Sequence, residues 1–267
     1  MHPMLNIARR AAEKAGDYLE RAFSRVDQIQ VETKGRNDFV SEVDRHAEQL
    51  ILTILKEKFP SHEFLCEESG LVNRQSDAEY QWIIDPLDGT TNFLHNFPHF
   101  AISMGVMHKG ILTHGLIYDP IRREEFMASR GRGAQLNGHR IRVSKQVKLE
   151  GSLIGTGMPF RQDQQATAPA YWSLLSTIAA DAAGIRRAGA AALDLAYVAS
   201  GRLDAFYEFG LKPWDMAAGA LLVREAGGLI IEPNGGENFM DSGNVIAGTP
   251  KLLKNMLKMM PADLARA

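Results

Sequence analysis

The sequence predicts an α+β fold in which helices and sheets are layered. Three observations predict it: amphipathic helical segments open the chain, strand-length apolar runs fill its centre, and strands alternate with helices after Gly151. With 267 residues and 45% hydrophobic residues, the chain can bury a sizeable core. No Pro/Gly/Ser-rich linker divides it, which favours a single domain over residues 1–267 with two subdomains, about 1–145 and about 146–267.

The first elements are two helices. Apolar residues recur every three or four positions over residues 5–23, which is the spacing of one helix face. A second stripe runs over residues 43–55, where Ser41 and Asp44 resemble a capping box. We expect both helices to pack by their apolar faces against the rest of the domain.

Short apolar runs predict the strands. HEFLC (62–66) and QWIID (81–85) each lead into acidic residues. Between 100 and 144, the runs AISMGVM, ILTHGLIYD and EEFMAS are separated by turn signals, which is typical of an antiparallel meander. After Gly151 the predicted order is a strand at 152–157, helices near 166–182 and at 191–200, a strand at 203–209 and a helix at 215–228.

Charge and cysteine content exclude several classes of protein. Lys and Arg total 30 against 32 Asp and Glu, a net charge of -2, so nucleic acid is not the default partner. The single cysteine, Cys66, cannot form an intramolecular disulfide, which favours the reducing cytoplasm. Arg9 and Arg10 interrupt the apolar run that a signal peptide needs, and Lys109 and Arg224 interrupt the most apolar later stretches. We expect a cytoplasmic protein without a membrane span.

The motif with the clearest chemical meaning is DPLDGTT (85–91), directly after an apolar strand. It places Asp85 and Asp88 three residues apart. Pro86 fixes its own φ and favours extended backbone before it, while Gly89 allows backbone N–H groups to approach a ligand. An ordinary Asp-Gly turn with capping aspartates would explain this motif if it stood alone.

Further acidic residues favour a metal site over a simple turn. Glu67 and Glu68 end the preceding strand, and Asp215 lies at another helix start. Carboxylates, a main-chain carbonyl and waters are typical ligands of Mg²⁺, whereas zinc calls for Cys or His. His95 and His99 are four residues apart, but a proline between them argues against one helix face. The sequence therefore predicts a hard divalent cation.

Three blocks give the chain a specific resemblance to a known family. CEES (66–69), WIIDPLDGTTNF (82–93) and KPWDMAAGALLVREAGG (212–228) resemble, in order and spacing, signature blocks of the inositol monophosphatase family of metal-dependent, lithium-sensitive phosphatases. NFPHFAIS (96–103) and the segment 186–215 resemble a bacterial branch most closely. The likeness runs nearly end to end. It implies a layered αβαβα sandwich of the inositol monophosphatase/fructose-1,6-bisphosphatase type, and a homodimer.

The resemblance also implies roles for individual residues. The first Mg²⁺ is expected on Glu67, Asp85 and the Leu87 carbonyl. A second is expected on Asp85, Asp88 and Asp215, and a third, weaker ion near Glu67. The catalytic residues are expected to be Glu67 and Thr90, which orient the attacking water, and Asp44 in an outer position with Lys34. Backbone N–H groups of Gly89 and Thr90 are expected to contact phosphate, while Asp88, Ala191 and Glu208 contact polyol hydroxyls.

The implied activity is hydrolysis of inositol monophosphate and similar small phosphate monoesters by a metal-activated water, without a phosphoenzyme. One alternative keeps the reaction and changes the substrate, for example to fructose 1,6-bisphosphate or NADP. Glu208 argues for a neutral polyol over a second phosphate, by like-charge repulsion. Another alternative is partner binding, because the bacterial branch is associated with ribosomal RNA transcription antitermination through the RNA polymerase machinery.

Overall fold

The computed structural model of the chain describes residues 2–28, 31–35, 38–75, 77–160 and 162–265. The side chains at 28–41 and at 163 lie outside this description. Layers of helices alternate with two large sheets, so the predicted α+β class is confirmed.

The helices agree with the sequence periodicity. They are α1 (Pro3–Phe23), α2 (Glu42–Lys58), α3 (Thr90–Leu94), α4 (Ala168–Asp181), α5 (Ala191–Ala199), α6 (Pro213–Glu225), α7 (Phe239–Ser242), α8 (Pro250–Met259) and α9 (Ala262–Ala265). All the helices predicted from the sequence are present, and α7 to α9 were not predicted. Across the described ranges, none of the helices combines the length and the apolar character that crossing a membrane requires.

The strands form one two-stranded, one eight-stranded and one five-stranded sheet within the described residues. They are β1 (Val31–Gly35), β2 (Asp38–Ser41), β3 (Glu63–Cys66), β4 (Gly70–Val72), β5 (Tyr80–Asp88), β6 (Ala101–His108), β7 (Ile111–Asp119), β8 (Glu124–Ser129), β9 (Gly133–Leu136), β10 (His139–Ile141), β11 (Leu153–Thr156), β12 (Gly184–Arg186), β13 (Ala205–Glu208), β14 (Leu229–Ile231) and β15 (Val245–Gly248). The strand order is β10-β9-β8-β7-β6-β5-β3-β4 in the large sheet and β12-β11-β13-β15-β14 in the smaller one.

Helices α1 and α2 form the first layer and cover one face of the eight-stranded sheet. The predicted apolar face of α1 is buried, with Ala8, Ala12 and Ala15 at 1% exposure or less. His2 caps this helix: its Nδ1 atom accepts a hydrogen bond of 3.3 Å from the Met4 N–H. The capping role predicted for Ser41 concerns a side chain outside the described residues.

The eight-stranded sheet determines where the acidic motifs lie. Strands β6, β7 and β8 pair antiparallel, which confirms the predicted meander. Strand β3 pairs parallel with β5, so the carboxyl ends of these two strands lie at one edge. The acidic residues that follow β3 and end β5 are therefore neighbours, although residues 69–84 separate them in the chain.

Helices α5 and α6 fill the layer between the two sheets. Small residues allow α6 to approach the large sheet closely, because a Cβ at Gly115 of β7 would lie 2.8 Å from the Ala218 carbonyl oxygen. Helices α4 and α8 pack on the other face of the small sheet. One hydrophobic cluster contains residues from both sides of residue 145, among them Phe126, Leu195 and Val245. The two predicted subdomains thus share packed residues, while the boundary itself stays a prediction.

The close approach of α6 to the sheet makes a prediction about stability. We expect Gly115→Ala to lower the free energy of unfolding by about 1–3 kcal/mol, because backbone atoms of Ala218 would have to move. Denaturant unfolding measures the change. Gly184→Ala in β12 is the control: its Cβ meets only side-chain atoms at 3.3 and 3.4 Å, and its effect should stay within about 0.5 kcal/mol. Equal stability of the two variants would contradict the described packing.

Candidate active site

The acidic motif lies where strand β5 leaves its regular ladder. Asp85 still pairs with Ser103 of β6, but the register shifts before Asp88. The Asp85 Oδ1 atom accepts a hydrogen bond of 2.9 Å from the Leu87 N–H, across Pro86, which has no N–H to donate. The irregular end of the strand thus holds two carboxylates within a single turn of chain.

A glycine and a threonine connect this turn to helix α3. Gly89 has a φ of 96°, in the left-handed region that favours glycine, and a Cβ there would lie 3.0 Å from the His99 carbonyl oxygen. The Thr90 hydroxyl lies 3.0 Å from Asp44 Oδ1 and 3.1 Å from the Leu87 carbonyl oxygen. Since Asp44 is buried in α2, this hydroxyl joins the first helical layer to the acidic turn. The side chain of Lys34, expected near Asp44, lies outside the described residues.

A buried glutamate positions the second acidic segment. The Glu67 N–H donates to the Ile84 carbonyl oxygen at 3.1 Å, which extends the parallel pairing beyond β3. Glu48 of α2 accepts hydrogen bonds from the N–H groups of Glu68 and Ser69 at 3.0 and 3.1 Å, and another from the Ser69 hydroxyl. Glu48 was not predicted from the sequence. Its position beside the apolar face of α2 is the signal that could have identified it.

The third acidic position lies at the start of α6, as the sequence predicted. The Asp215 Oδ2 atom accepts a hydrogen bond of 2.7 Å from the Lys212 N–H and so caps the helix. The Ser103 hydroxyl of β6 donates to the Trp214 carbonyl oxygen at 3.1 Å. The start of α6 is therefore tied to the same part of the large sheet as the acidic turn.

Electrostatics show that these carboxylates lie close to one another. The pKa values of Asp85 and Asp88 are both raised well above the usual range, first because burial disfavours the charged form. The negative charges of Glu67 and Asp215 raise both pKa values further. For Asp88 the rise is opposed by the Ala192 N–H, which donates to Oδ2 at 2.7 Å. The site therefore concentrates negative charge that a bound cation would relieve.

The second half of the chain supplies the other side of the site. Ala191 is buried at the first turn of α5, next to the residue that donates to Asp88. Glu208 ends strand β13, and its charge contributes to the raised pKa of Asp88. Gly157 makes room for it, because a Cβ there would overlap the Glu208 carboxylate. Glu208 and Tyr171 also line a small cavity.

A buried aspartate that sequence reasoning missed lies near this side. Asp194 of α5 is 2% exposed, and its pKa is raised well above the usual range, first by burial and then by the charges of Glu208 and Asp88. The charge of Arg187 lowers the pKa in part. A single charged residue inside the apolar run AALDLAYVA is the signal that could have indicated a buried functional carboxylate.

The residues present fit a divalent cation in chemistry. The available donors are carboxylates and a main-chain carbonyl, which are ligands of hard cations. In the described part of the chain, no three Asp, Glu, His or Cys residues already form a coordination cluster, so mutual repulsion is the observation that supports a cation here. The negative charges of Glu67, Asp88 and Asp215 all raise the pKa of Asp85. The Thr90 hydroxyl forms hydrogen bonds with Asp44 and with the Leu87 carbonyl oxygen. Their roles in binding and catalysis stay predictions.

Comparisons with known proteins agree with this geometry. A sequence model of the inositol monophosphatase family matches residues 1–261. Nus factor SuhB of Pseudomonas aeruginosa is 53% identical over 265 residues, which covers 99% of this chain and 98% of that protein. Nus factor SuhB of Escherichia coli K12 is 49% identical, covering 100% of this chain and 99% of that protein.

Solved structures extend the comparison to the fold. The solved structure of an inositol monophosphatase from Anabaena superimposes with a TM-score of 0.84 at 34% identity, covering 96% of this chain and 94% of that one. Its layered arrangement agrees with the sandwich expected from the sequence. The match of the family model over nearly the whole length, together with these relatives, shows that the chain belongs to the inositol monophosphatase family.

Proposed function

We propose that the chain hydrolyses inositol monophosphate and similar small phosphate monoesters to the alcohol and phosphate. The observation that carries the proposal is the crowding of buried carboxylates around Asp85 and Asp88, whose pKa values are raised by burial and by neighbouring negative charge. Such a cluster is costly unless it binds cations. A family that includes named phosphatases supports the same conclusion.

Glu67, Asp85, Asp88, Asp215 and the Leu87 carbonyl would hold two Mg²⁺ ions, with a third bound more weakly. When bound, Mg²⁺ would lower the pKa of a coordinated water and offset the negative charge of the phosphate and of the leaving oxygen. The chain itself fixes where this happens, because the ends of β3 and β5 and the start of α6 meet at one place.

The side chains favour a water molecule as the nucleophile. The Ser103 hydroxyl is buried and donates to a backbone carbonyl, and burial raises the pKa of the Cys66 thiol to about 12. The Thr90 hydroxyl, held between Asp44 and the Leu87 carbonyl, is fixed in position to orient a water together with Glu67. The water oxygen forms the new bond to phosphorus while the ester oxygen leaves, so no phosphoenzyme is needed.

The negative side of the pocket favours a neutral polyol as the leaving group. Glu208 and Asp194 lie within electrostatic range of each other, and both influence the region around Asp88. A second phosphate near them would be repelled, whereas polyol hydroxyls can donate hydrogen bonds to the Glu208 carboxylate. We therefore propose inositol monophosphate ahead of a sugar bisphosphate or NADP.

The curated relatives favour a second function. They are named Nus factors and cover almost the whole chain at 49–53% identity. We propose that this chain also binds components of the transcription antitermination machinery. Such a role needs an intact surface and does not need the acidic cluster to bind metal. Substitutions of single residues in the cluster can therefore separate the two functions.

We expect Asp88→Asn to lower kcat for inositol monophosphate by about 100-fold or more, because one carboxylate shared between cation and substrate is lost. Phosphate release is measured with and without Mg²⁺ and with millimolar Li⁺. Mg²⁺ should raise the Tm of the wild-type protein and shift that of the variant much less. Exposed Asp241→Asn is the control and should behave as wild type. Phosphate release without Mg²⁺, indifference to Li⁺ or full activity of D88N would contradict the proposal.

Polyol recognition gives a further prediction. Glu208→Gln should raise KM for inositol monophosphate about tenfold and leave KM for a phenyl phosphate, which lacks the polyol hydroxyls, nearly unchanged. Gly157→Ala keeps the carboxylate but displaces it, and should have the same selective effect. Glu237→Gln, which removes a charge from an exposed glutamate, is the matched control. An equal rise in KM for both substrates would assign Glu208 a structural role.

A complementation experiment separates catalysis from partner binding. The experiment uses a bacterial strain that lacks its own homologue. If partner binding is the main cellular role, a metal-site variant such as D88N should restore wild-type growth and wild-type ribosomal RNA transcription. The variant protein level is checked by immunoblot, and D241N serves as the positive control. Failure of D88N as complete as that of the deletion would show that catalysis is the required activity.

A further inference from the structure

A second cavity lies away from the acidic cluster, between the start of α1 and the strands β7, β8 and β9. Its volume is about 530 Å³. The residues that line it are His2, Pro3, Leu5, His114, Met127, Ser129, Arg130, Arg132, Gly133 and Gln135. None of them belongs to the candidate active site, and none is acidic, although the chain as a whole carries a net charge of -2.

Arginines give this cavity its charge. Arg130 and Arg132 are exposed on the turn between β8 and β9, and within the described residues neither takes part in an ion pair. The Glu225 carboxylate is occupied with the backbone of the same turn: it accepts hydrogen bonds from the N–H groups of Gly131 and Gly133 at 2.8 and 2.7 Å. Glu225 thus holds the turn in place and leaves both guanidinium groups available.

Two further arginines lie close to Gly133, which is one of the residues that line the cavity. Guanidinium atoms of Arg140 and Arg142 lie 3.6 to 3.8 Å from the position that a Cβ would occupy at Gly133. The Arg142 guanidinium donates only to backbone carbonyl oxygens among the described residues, which leaves its charge uncompensated. Two arginines line the cavity and two more lie near Gly133, which together give this region a positive local potential.

His114 contributes a neutral polar side chain to the wall of the cavity. His114 is 8% exposed, its Nδ1 atom lies 3.0 Å from the Ser129 hydroxyl, and its ring stacks on His2 with centroids 4.1 Å apart. Burial lowers the pKa of His114 to about 4, so the ring is neutral at pH 7. In the described part of the structure its Nε2 atom has no hydrogen-bond partner, which leaves one polar atom for a ligand.

Size and lining indicate the class of ligand. Small-molecule sites are commonly about 300–1,000 Å³ and combine an apolar wall with a few polar groups. Leu5 and Met127 supply the apolar wall, and the stacked imidazoles of His2 and His114 offer aromatic edges. Guanidinium groups match phosphate oxygens in bidentate geometry. Each of these features favours an anion attached to a less polar body.

We propose that this cavity binds a phosphorylated small molecule with an aromatic or apolar body, such as a nucleoside diphosphate. Arg130 and Arg132 bind the phosphate groups at the opening, and the body lies against Leu5, Met127 and the His114 ring. The site is independent of the proposed hydrolysis, because it uses fixed protein cations where the acidic cluster requires bound metal.

The test uses adenosine 5′-diphosphate as the probe and isothermal titration calorimetry on the full chain in EDTA, where the acidic cluster has no metal to attract phosphate. We expect saturable binding to the wild-type protein. In the double variant R130Q/R132Q, Kd should rise about tenfold or more, since two charge-assisted contacts are lost. The matched control R10Q/R74Q removes the same charge from exposed positions outside the cavity, and its Kd should stay within about twofold.

Further arms decide which part of the probe is recognised. Pyrophosphate should bind more weakly than the diphosphate nucleotide, and adenosine should bind more weakly still. The proposal is overturned if the nucleotide does not bind saturably, if R130Q/R132Q binds as the wild type does, or if the control pair loses as much affinity. If pyrophosphate binds as tightly as the nucleotide, the apolar wall does not contribute to affinity and that part of the proposal is wrong. Circular dichroism and Tm measurements confirm that the variants are folded.

Discussion

Repulsion among buried carboxylates is the constraint on which the rest of the site depends. Asp85 is buried and Asp88 half-buried beside Glu67 and Asp215, and the pKa values of both aspartates rise because the charged forms are unfavourable there. Folding keeps these groups together through strand pairing, whose backbone bonds do not depend on the charge state, and through the helix start that Asp215 caps. The fold therefore maintains an unfavourable charge arrangement that binding of a cation makes favourable.

Buried hydrogen bonds to backbone groups make that arrangement possible. Asn92 donates to the carbonyl oxygens of His99 and Ala188 at 2.8 and 2.9 Å, which fixes the segment before α5 against α3. Glu48 fixes the backbone after Glu67 in a similar way. The bond from Asn92 to Ala188 joins segments 96 residues apart, so the two halves of the chain meet at the site with little freedom. These polar side chains thus have two roles: they form hydrogen bonds with buried backbone groups, and they hold the charged residues of the site in position.

Sequence reasoning identified the elements that local pattern determines. Helical periodicity predicted α1 and α2, strand-length apolar runs separated by turn signals predicted the meander, and the apolar run before DPLDGTT placed its aspartates at a strand end. Local patterns do not determine which strands pair with each other. The parallel pairing of β3 with β5 and the position of β15 between β13 and β14 depend on the packing of distant segments. The sequence carries only a weak signal for Glu48 and Asp194, their place among apolar helix residues, and it is the folded chain that shows both to be buried.

The charge distribution also sets an order of binding at the acidic site. A phosphate dianion approaching Asp85, Asp88, Glu67 and Asp215 is repelled while these groups are ionised, so in the proposed hydrolysis cations would have to bind before the anion. Because the pKa values of Asp85 and Asp88 are raised, cation binding also displaces protons, and affinity for the metal increases with pH. The arginine-bordered cavity near His114 has the opposite electrostatics and needs no metal. A chelator therefore separates the two kinds of phosphate binding in one molecule.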